Sequence, residues 1–416
     1  MSLASTIKQH ALEVGFDLAG IAPPAAVKDL EFLPQWLQKG FGGEMRYLAD
    51  PRREDPRRVL PSVESVICVG LVYNTPYAYS TDITKSSEVD NAPSFCDAAA
   101  GKEPTRAWIS RYAWGKDYHD VMRDKLEQLR KAVEKLAPEA ETRVYVDTGP
   151  VVERAFARLS GIGWMGKNTC LINAQKGSWF FLGVILTDLK LEFDLPAPDR
   201  CGSCTRCLEA CPTGALIEPY VMDASRCISY FNIELKGTIP EKFRTAIGRN
   251  IFGCDICQDV CPWNSRPLPV VSGPLPYGAA PEERTAAESA PRRVATTNLP
   301  EFQPLQVQIK SSEPDAEPVT EDKLDHRQSA SEPFSLFNPR LESLASISEE
   351  DFRRLFARSP IKRARYRGWL RNLCVAMGNS GDRRFIAWLE DVAQHPDLMV
   401  REHALWALKQ LRTFCA

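Results

Sequence analysis

Eight cysteines in two runs place the strongest constraint on this chain. The first run is Cys201-x2-Cys204-x2-Cys207-x3-Cys211-Pro212; a degenerate copy follows as Cys227, then Cys254-x2-Cys257-x3-Cys261-Pro262. Two-residue gaps wrap three thiolates around one face of a cubane, and the x3-Cys-Pro turn throws the next thiolate toward a partner cluster. Crossing the ligands in this way gives cluster one as Cys201, Cys204, Cys207 and Cys261. Cluster two is then Cys211, Cys227, Cys254 and Cys257. Paired structural zinc sites are the bland alternative, and the two Cys-Pro endings with eight thiolates argue against them. The reading is two [4Fe–4S] clusters, each of which moves single electrons.

The chain has 13 cysteines, and the remaining five, Cys68, Cys96, Cys170, Cys374 and Cys415, stand singly. Cys68, Cys170 and Cys374 lie in apolar surroundings typical of buried thiols, and none of the five is assigned chemistry. Clustered cysteines in a 416-residue chain mean metal in a reducing compartment. The best apolar stretch, Trp179 to Leu186, is far too short to span a bilayer, and the N-terminus lacks the form of a secretory signal. A cytoplasmic monomer without membrane contact is expected. The formal net charge of -2 excludes a polycation, so any nucleic-acid face is a local patch. Only five histidines are present, scattered along the chain, which disfavours a His-rich zinc or iron centre. There is no G-x-G-x-x-G after a strand and no Walker lysine loop, so nicotinamide, Rossmann flavin and nucleotide readings lack support.

Strand and helix patterns mix ahead of the cysteines. Apolar spacing predicts helices over 4–14 and 117–136 and over 151–160, with strands at 64–73 and 143–146. Residues 169–173 and 178–187 flank Gln175-Lys-Gly177 as a plausible hairpin, and 76–106 reads as a polar insertion. Residues 266–333 are rich in Pro, Glu, Ser and Ala and read as largely disordered or wrapped on the surface. Helical periodicity returns after Glu350, and Asp397-Leu-Met-Val-Arg401 has the look of a single HEAT-like unit. The expected organisation is α+β and multidomain: 1–199 catalytic, 200–265 ferredoxin-like, 266–333 flexible, and 334–416 helical.

Several stretches outside the cysteines carry a resemblance. They are Ile109-Ser-Arg-Tyr-Ala-Trp-Gly-Lys-Asp-Tyr-His119, Tyr145-Val-Asp-Thr-Gly-Pro150, Gly161-Ile-Gly-Trp-Met-Gly-Lys-Asn168, Gly177-Ser-Trp-Phe-Phe-Leu-Gly183, Arg226-Cys-Ile-Ser-Tyr230 and Trp369-Leu-Arg-Asn372. Together with Gly253-Cys-Asp-Ile-Cys-Gln258 they make the chain resemble the epoxyqueuosine reductases, iron–sulfur and cobalamin enzymes of tRNA modification. The likeness covers most of the chain outside 76–106 and 266–333. It implies a reductive-dehalogenase-like N-terminal α/β domain holding cobalamin without a histidine ligand. Asp117-x-His119 agrees, because Met122 stands where a histidine-ligating cobalamin motif needs glycine. It also implies removal of the epoxide oxygen as water at wobble position 34, with two electrons from an unidentified low-potential donor. Asp147 is then the proton donor, and desolvation against an apolar macrocycle is expected to favour its neutral form. Capping of the following helix is its structural alternative. Arg57, Leu171, Leu182, Ser229 and Asp255, with Asp147, are carried over as corrin contacts.

Arg353, Arg354, Arg358, Lys362, Arg363, Arg365, Arg367 and Arg371 form a basic stretch with Phe352, Phe356, Tyr366 and Trp369 between them. Such a patch grips phosphates. Arg363, Arg365, Arg367 and the loop residue Lys236 are the expected tRNA contacts. A corrinoid reductive dehalogenase and a non-enzymatic iron–sulfur carrier are the rival readings. The first gives the basic module no purpose, and the second leaves Asp147 unexplained.

Overall fold

The computed structural model describes residues 2–24, 31–83, 105–265, 294–309 and 333–413. Cys96, Cys415, most of the 76–106 insertion and much of 266–333 lie outside these residues.

The N-terminal half is built on a four-stranded sheet. Its strands are β1 (Leu18–Ala22), β2 (Ser65–Val72), β3 (Thr142–Tyr145) and β4 (Phe180–Thr187), in the order β1-β2-β4-β3. Every pairing is antiparallel, with Cys68 opposite Val184 and Val144 opposite Ile185. β2 is buried along its whole length. A strand covered on both faces reads as a continuous apolar run rather than an alternating one. On one face Ile67, Val69 and Leu71 pack with α1 (Leu3–Glu13) and α2 (Tyr118–Leu136). On the other, Val66, Cys68 and Val72 meet Ala155 and Phe156 of α3 (Glu153–Leu159). The stripe of Met122, Leu126, Leu129 and Val133 is the buried face of α2, as its spacing predicts.

The hairpin read from 169–187 does not form as such. Asn173 and Gly177 make one isolated bridge, Leu171–Ile172 pairs with Trp164–Met165, and β4 takes the sheet centre between β2 and β3. A strand as apolar as Phe180–Thr187 gains more from two buried neighbours than from one edge partner.

The C-terminal helices α4 (Arg365–Gly378), α5 (Ile386–Val392) and α6 (Leu398–Thr413) do not stand apart. Trp369, Leu373 and Ala407 share one core with Trp108, Ile109, Phe231 and Phe252. Trp108–Ile109 pairs in parallel with Asn250–Phe252. Residues 294–309 also pack: Phe302 enters the N-terminal core and Val307 the C-terminal one. Truncating a fully buried Trp179 or Trp369 would cost about 3–5 kcal/mol.

Candidate active site

Cysteines from the two runs meet in the fold. Cys201, Cys204, Cys207 and Cys261 line one cavity of about 70 Å³. Burial raises both Cys227 and Cys254, and charge adds to it, from Cys211 on Cys227 and from Cys227 and Cys211 on Cys254. Four thiols standing around one cavity suit a cluster. Backbone N–H groups of Ile256 and Trp263 reach Cys254 and Cys261, and the amide and hydroxyl of Ser229 reach Cys227.

The segment Gly161–Asn168 is the clamp for both runs. Lys167 Nζ donates to the carbonyls of Gly202 (2.6 Å) and Cys204 (3.0 Å), and Asn168 Nδ2 donates to Cys257 O (3.2 Å). Gly163 permits the tight pairing of Trp164–Met165 with Leu171–Ile172, since a Cβ there would sit 2.3 Å from Ile172 O. Cys170, read as an inert buried thiol, lies instead within hydrogen-bond reach of Cys257. Its apolar sequence neighbours gave no sign of this.

Two cavities flank the turn after β3. The larger, about 690 Å³, is lined mostly by titratable groups, drawn from five regions. Tyr47 and Arg53 come from the N-terminal segment; Tyr112, Asp117, Tyr118, His119, Asp120 and Arg123 surround the start of α2. Asp147 and Thr148 follow β3, Ile233 and Glu234 come from the π-turn Tyr230–Glu234, and Pro360, Lys362 and Arg363 precede α4. π-turns of this kind frequently mark functional sites.

Asp147 has φ +51°, a left-handed conformation that a non-glycine residue adopts only when its surroundings impose it. It does not cap α3, whose N-cap is Val152 without a side-chain bond. Its carboxylate remains 55% exposed at the cavity and accepts from Tyr118 Oη at 2.9 Å. His119 lies between two carboxylates, with Nε2 3.2 Å from Asp147 Oδ2 and Nδ1 2.7 Å from Asp117 Oδ1. Lys362 Nζ donates to Asp117 Oδ2 at 2.8 Å. Burial opposes charge on His119, but the hydrogen bonds to Asp117 and Asp147 outweigh it and raise the imidazole to about 9. Burial likewise raises Asp147, yet the bonds to His119 and Tyr118 prevail and its carboxyl lies below the ordinary aspartate value. The surroundings of Asp147 thus pull its carboxyl in the direction opposite to the one desolvation alone would give. Behind the turn, burial raises Glu153 to about 7, a second carboxyl that the sequence reading passed over.

The second cavity, about 620 Å³, is lined by Val152, Ala155, Trp164, Met165, Arg154 and Arg158 among others. Thr169 (φ +62°) and Tyr220 (φ +70°), two further left-handed non-glycine residues, also line it. Leu171 and Leu182 pack in the apolar layer beneath, with Val151 and Val152. Arg57 lies at neither cavity but on the surface, 3.6 Å from Asp55; Arg53 is the arginine that reaches inside. Asp255 is buried and accepts from Trp108 Nε1 (3.0 Å), Ser110 Oγ (2.5 Å) and the Arg111 amide (2.8 Å). It holds the 108–111 strand in place and lines neither cavity.

The basic stretch divides. Arg371 is buried and donates to the carbonyls of Phe231, Leu235 and Gly237, and Phe352, Phe356 and Trp369 are core. These members of the stretch are structural and do not belong to an exposed patch. Asn372 completes the tie, donating to Asn232 O and Ile251 O at 2.8 Å each. Lys362, Arg363, Arg365 and Arg367 are exposed. Arg363 pairs with Glu234 at 2.7 Å, Arg367 with Asp397 at 3.3 Å, and Lys236 Nζ donates to Arg363 O at 3.0 Å. A cationic rim thus borders the cavity that contains Asp147.

The family profile described as "4Fe-4S double cluster binding domain" matches residues 200–264, and that described as "Epoxyqueuosine reductase QueG, DUF1730" matches 53–148. An epoxyqueuosine reductase of Xanthomonas campestris is 35% identical over 410 residues, covering 98% of this chain and 96% of that protein. One of Pseudomonas aeruginosa is 35% identical over 415 residues, covering 98% and 94%. A solved epoxyqueuosine reductase with an epoxyqueuosine-modified tRNA stem loop is similar at a TM-score of 0.73 and 27% identity, over 98% of this chain and 90% of that one. The Streptococcus thermophilus structure gives 0.73 and 25%, over 99% and 91%. With four cysteines around one cavity, an aspartate held at a polar pocket and relatives aligned from end to end, this chain belongs to the epoxyqueuosine reductase family.

Proposed function

We propose that this chain reduces epoxyqueuosine to queuosine in tRNA, removing the epoxide oxygen as water with two electrons and two protons. The full-length kinship to epoxyqueuosine reductases carries this reading. Each [4Fe–4S] cluster passes one electron at a time, and the eight cysteines named above are its proposed ligands. Asp147 Oδ2 is the atom at which a proton is handed to the departing oxygen. The polar pocket around it accommodates a base unstacked from the anticodon loop, as single-stranded RNA recognition requires. Lys236, Arg363, Arg365 and Arg367 would hold the flanking phosphates.

Cobalamin is the further cofactor in this reading, and the chain's second cavity fits it. Trp164 Nε1 is buried there with no hydrogen-bond partner among the described residues, beside Arg154, Arg158 and an apolar wall. Donors over an apolar wall suit a flat macrocycle edged with amides. Arg154, Arg158 and Trp164 would hold its edge, while Leu171 and Leu182 support the layer behind. When bound, a corrin supplies low-valent cobalt chemistry. The chain's own residues exclude water on the apolar side and carry the proton on the polar side. Arg57 and Asp255 are left out of this proposed set, on their positions. Ser229, whose hydroxyl faces Cys227, supports a cluster ligand.

The deciding experiment is mass spectrometry of tRNA nucleosides after anaerobic incubation with reductant and added cobalamin. Queuosine should accumulate at the expense of epoxyqueuosine. Unchanged nucleosides with both clusters intact would overturn the reading.

A further inference from the structure

An imidazole set between two carboxylates can satisfy both only by donating from both ring nitrogens. His119 is in that position, with Asp117 Oδ1 2.7 Å from Nδ1 and Asp147 Oδ2 3.2 Å from Nε2. Asp117 is 5% exposed and is fixed from two sides. Its Oδ1 receives the His119 backbone N–H at 3.2 Å, and its Oδ2 receives Lys362 Nζ at 2.8 Å. Lys362 lies in the turn Pro360–Ala364 just ahead of α4, the stretch that also supplies arginines of the cationic rim. Tyr118, stacked on the His119 ring at 4.1 Å between centroids, donates to the same oxygen of Asp147 at 2.9 Å. The ring therefore has one orientation, and its one mobile proton points at the carboxylate on the cavity.

We propose that His119, oriented by Asp117 and Lys362, loads Asp147 with the proton that Asp147 then delivers. The inference rests on Asp147 as proton donor. In the step, the His119 Nε2–H bond breaks and an Asp147 Oδ2–H bond forms; that O–H bond then breaks as the departing oxygen gains its proton. The neutral imidazole regains its Nε2 proton from hydronium or buffer acid in the solvent, which is the net proton consumed, and the electrons come from the external one-electron reductant through the clusters. His119 and Asp117 act through Asp147 and are proton-supplying and positioning residues, not groups that touch substrate.

The test is chemical rescue in the reconstituted enzyme, assayed anaerobically on epoxyqueuosine-containing tRNA. His119→Ala should lower kcat about 10²-fold with KM nearly unchanged, and added imidazole should restore the rate with saturation. Asp117→Asn should lower kcat about tenfold without changing KM. Retained cluster absorbance and tRNA binding in both variants would establish that they fold. Wild-type turnover by His119→Ala would overturn the proposal. So would a loss of rate that imidazole does not repair in folded protein, or a comparable loss in Glu153→Gln but not in His119→Ala. Asp147→Asn separates the two levels: an active Asp147→Asn enzyme removes the reading of Asp147 itself. An inactive Asp147→Asn beside an unaffected His119→Ala removes only the relay.

Discussion

Lys362 and Asp117, 245 residues apart in sequence, meet at 2.8 Å at the edge of the cavity that contains Asp147. The contact joins the part of the chain that carries the cationic rim to the part that carries Asp147. Asp117 is nearly buried, so its charge needs the partner. Lys362→Met should reduce kcat with little effect on cluster content, and steady-state kinetics with iron analysis will check this.

The pH profile follows from the same network. His119 lies at about 9 against an ordinary 6.5, so its contacts favour the charged ring. Their stabilisation is present in full below about pH 6.5 and is lost as pH rises through about 9. Asp147 is shifted the other way, so its share is present above the ordinary aspartate range and is lost as pH falls through its lowered value. Turnover should therefore persist to about pH 9 and decline above it. In Asp117→Asn the alkaline decline should move to lower pH; identical profiles would contradict the assignment.

Crossed ligation makes a counterintuitive prediction. Cys261 belongs to the second cysteine run by sequence but stands with Cys201, Cys204 and Cys207 around one cavity. Cys261→Ser should thus remove cluster one and spare cluster two, lowering iron from about eight to about four atoms per chain. Iron and sulfide analysis with electron paramagnetic resonance would reveal which cluster remains.

Two arginines of one short stretch should behave oppositely. Arg371 is buried and bonded to three carbonyls, so Arg371→Ala should cost about 3–5 kcal/mol in denaturant unfolding. Arg365 is exposed and makes no ion pair among the described residues. Arg365→Ala should leave stability unchanged, weaken tRNA binding and reduce the log–log salt slope by about 1.

Asp255 supplies a purely structural comparison. Removing a buried carboxylate that receives three hydrogen bonds leaves three donors unsatisfied. Asp255→Ala should destabilise the chain by about 2–4 kcal/mol, measurable as a lower denaturation midpoint with loosened Trp108 fluorescence.

Local chemistry was readable from the chain alone. Thiolate spacing is a short-range geometric requirement, so the Cys-x2-Cys-x2-Cys-x3-Cys-Pro run announced clusters before any fold was known. Helix α2 and strand β2 were equally plain, because amphipathic and fully buried elements write their burial into residue order. Long-range neighbours were not readable. No pattern in 161–168 says that Lys167 and Asn168 grip the two cysteine runs, and none in 165–175 says that Cys170 lies beside Cys257. Charge alone likewise could not separate Arg371 from Arg365, since both read as basic residues until burial divides them. The direction in which Asp147 is shifted depended most on folding. Desolvation by itself predicts a neutral acid, but an imidazole and a phenol brought in from α2 reverse the balance. A pKa is set by what surrounds a group in space, and only the tertiary structure brings those surroundings together.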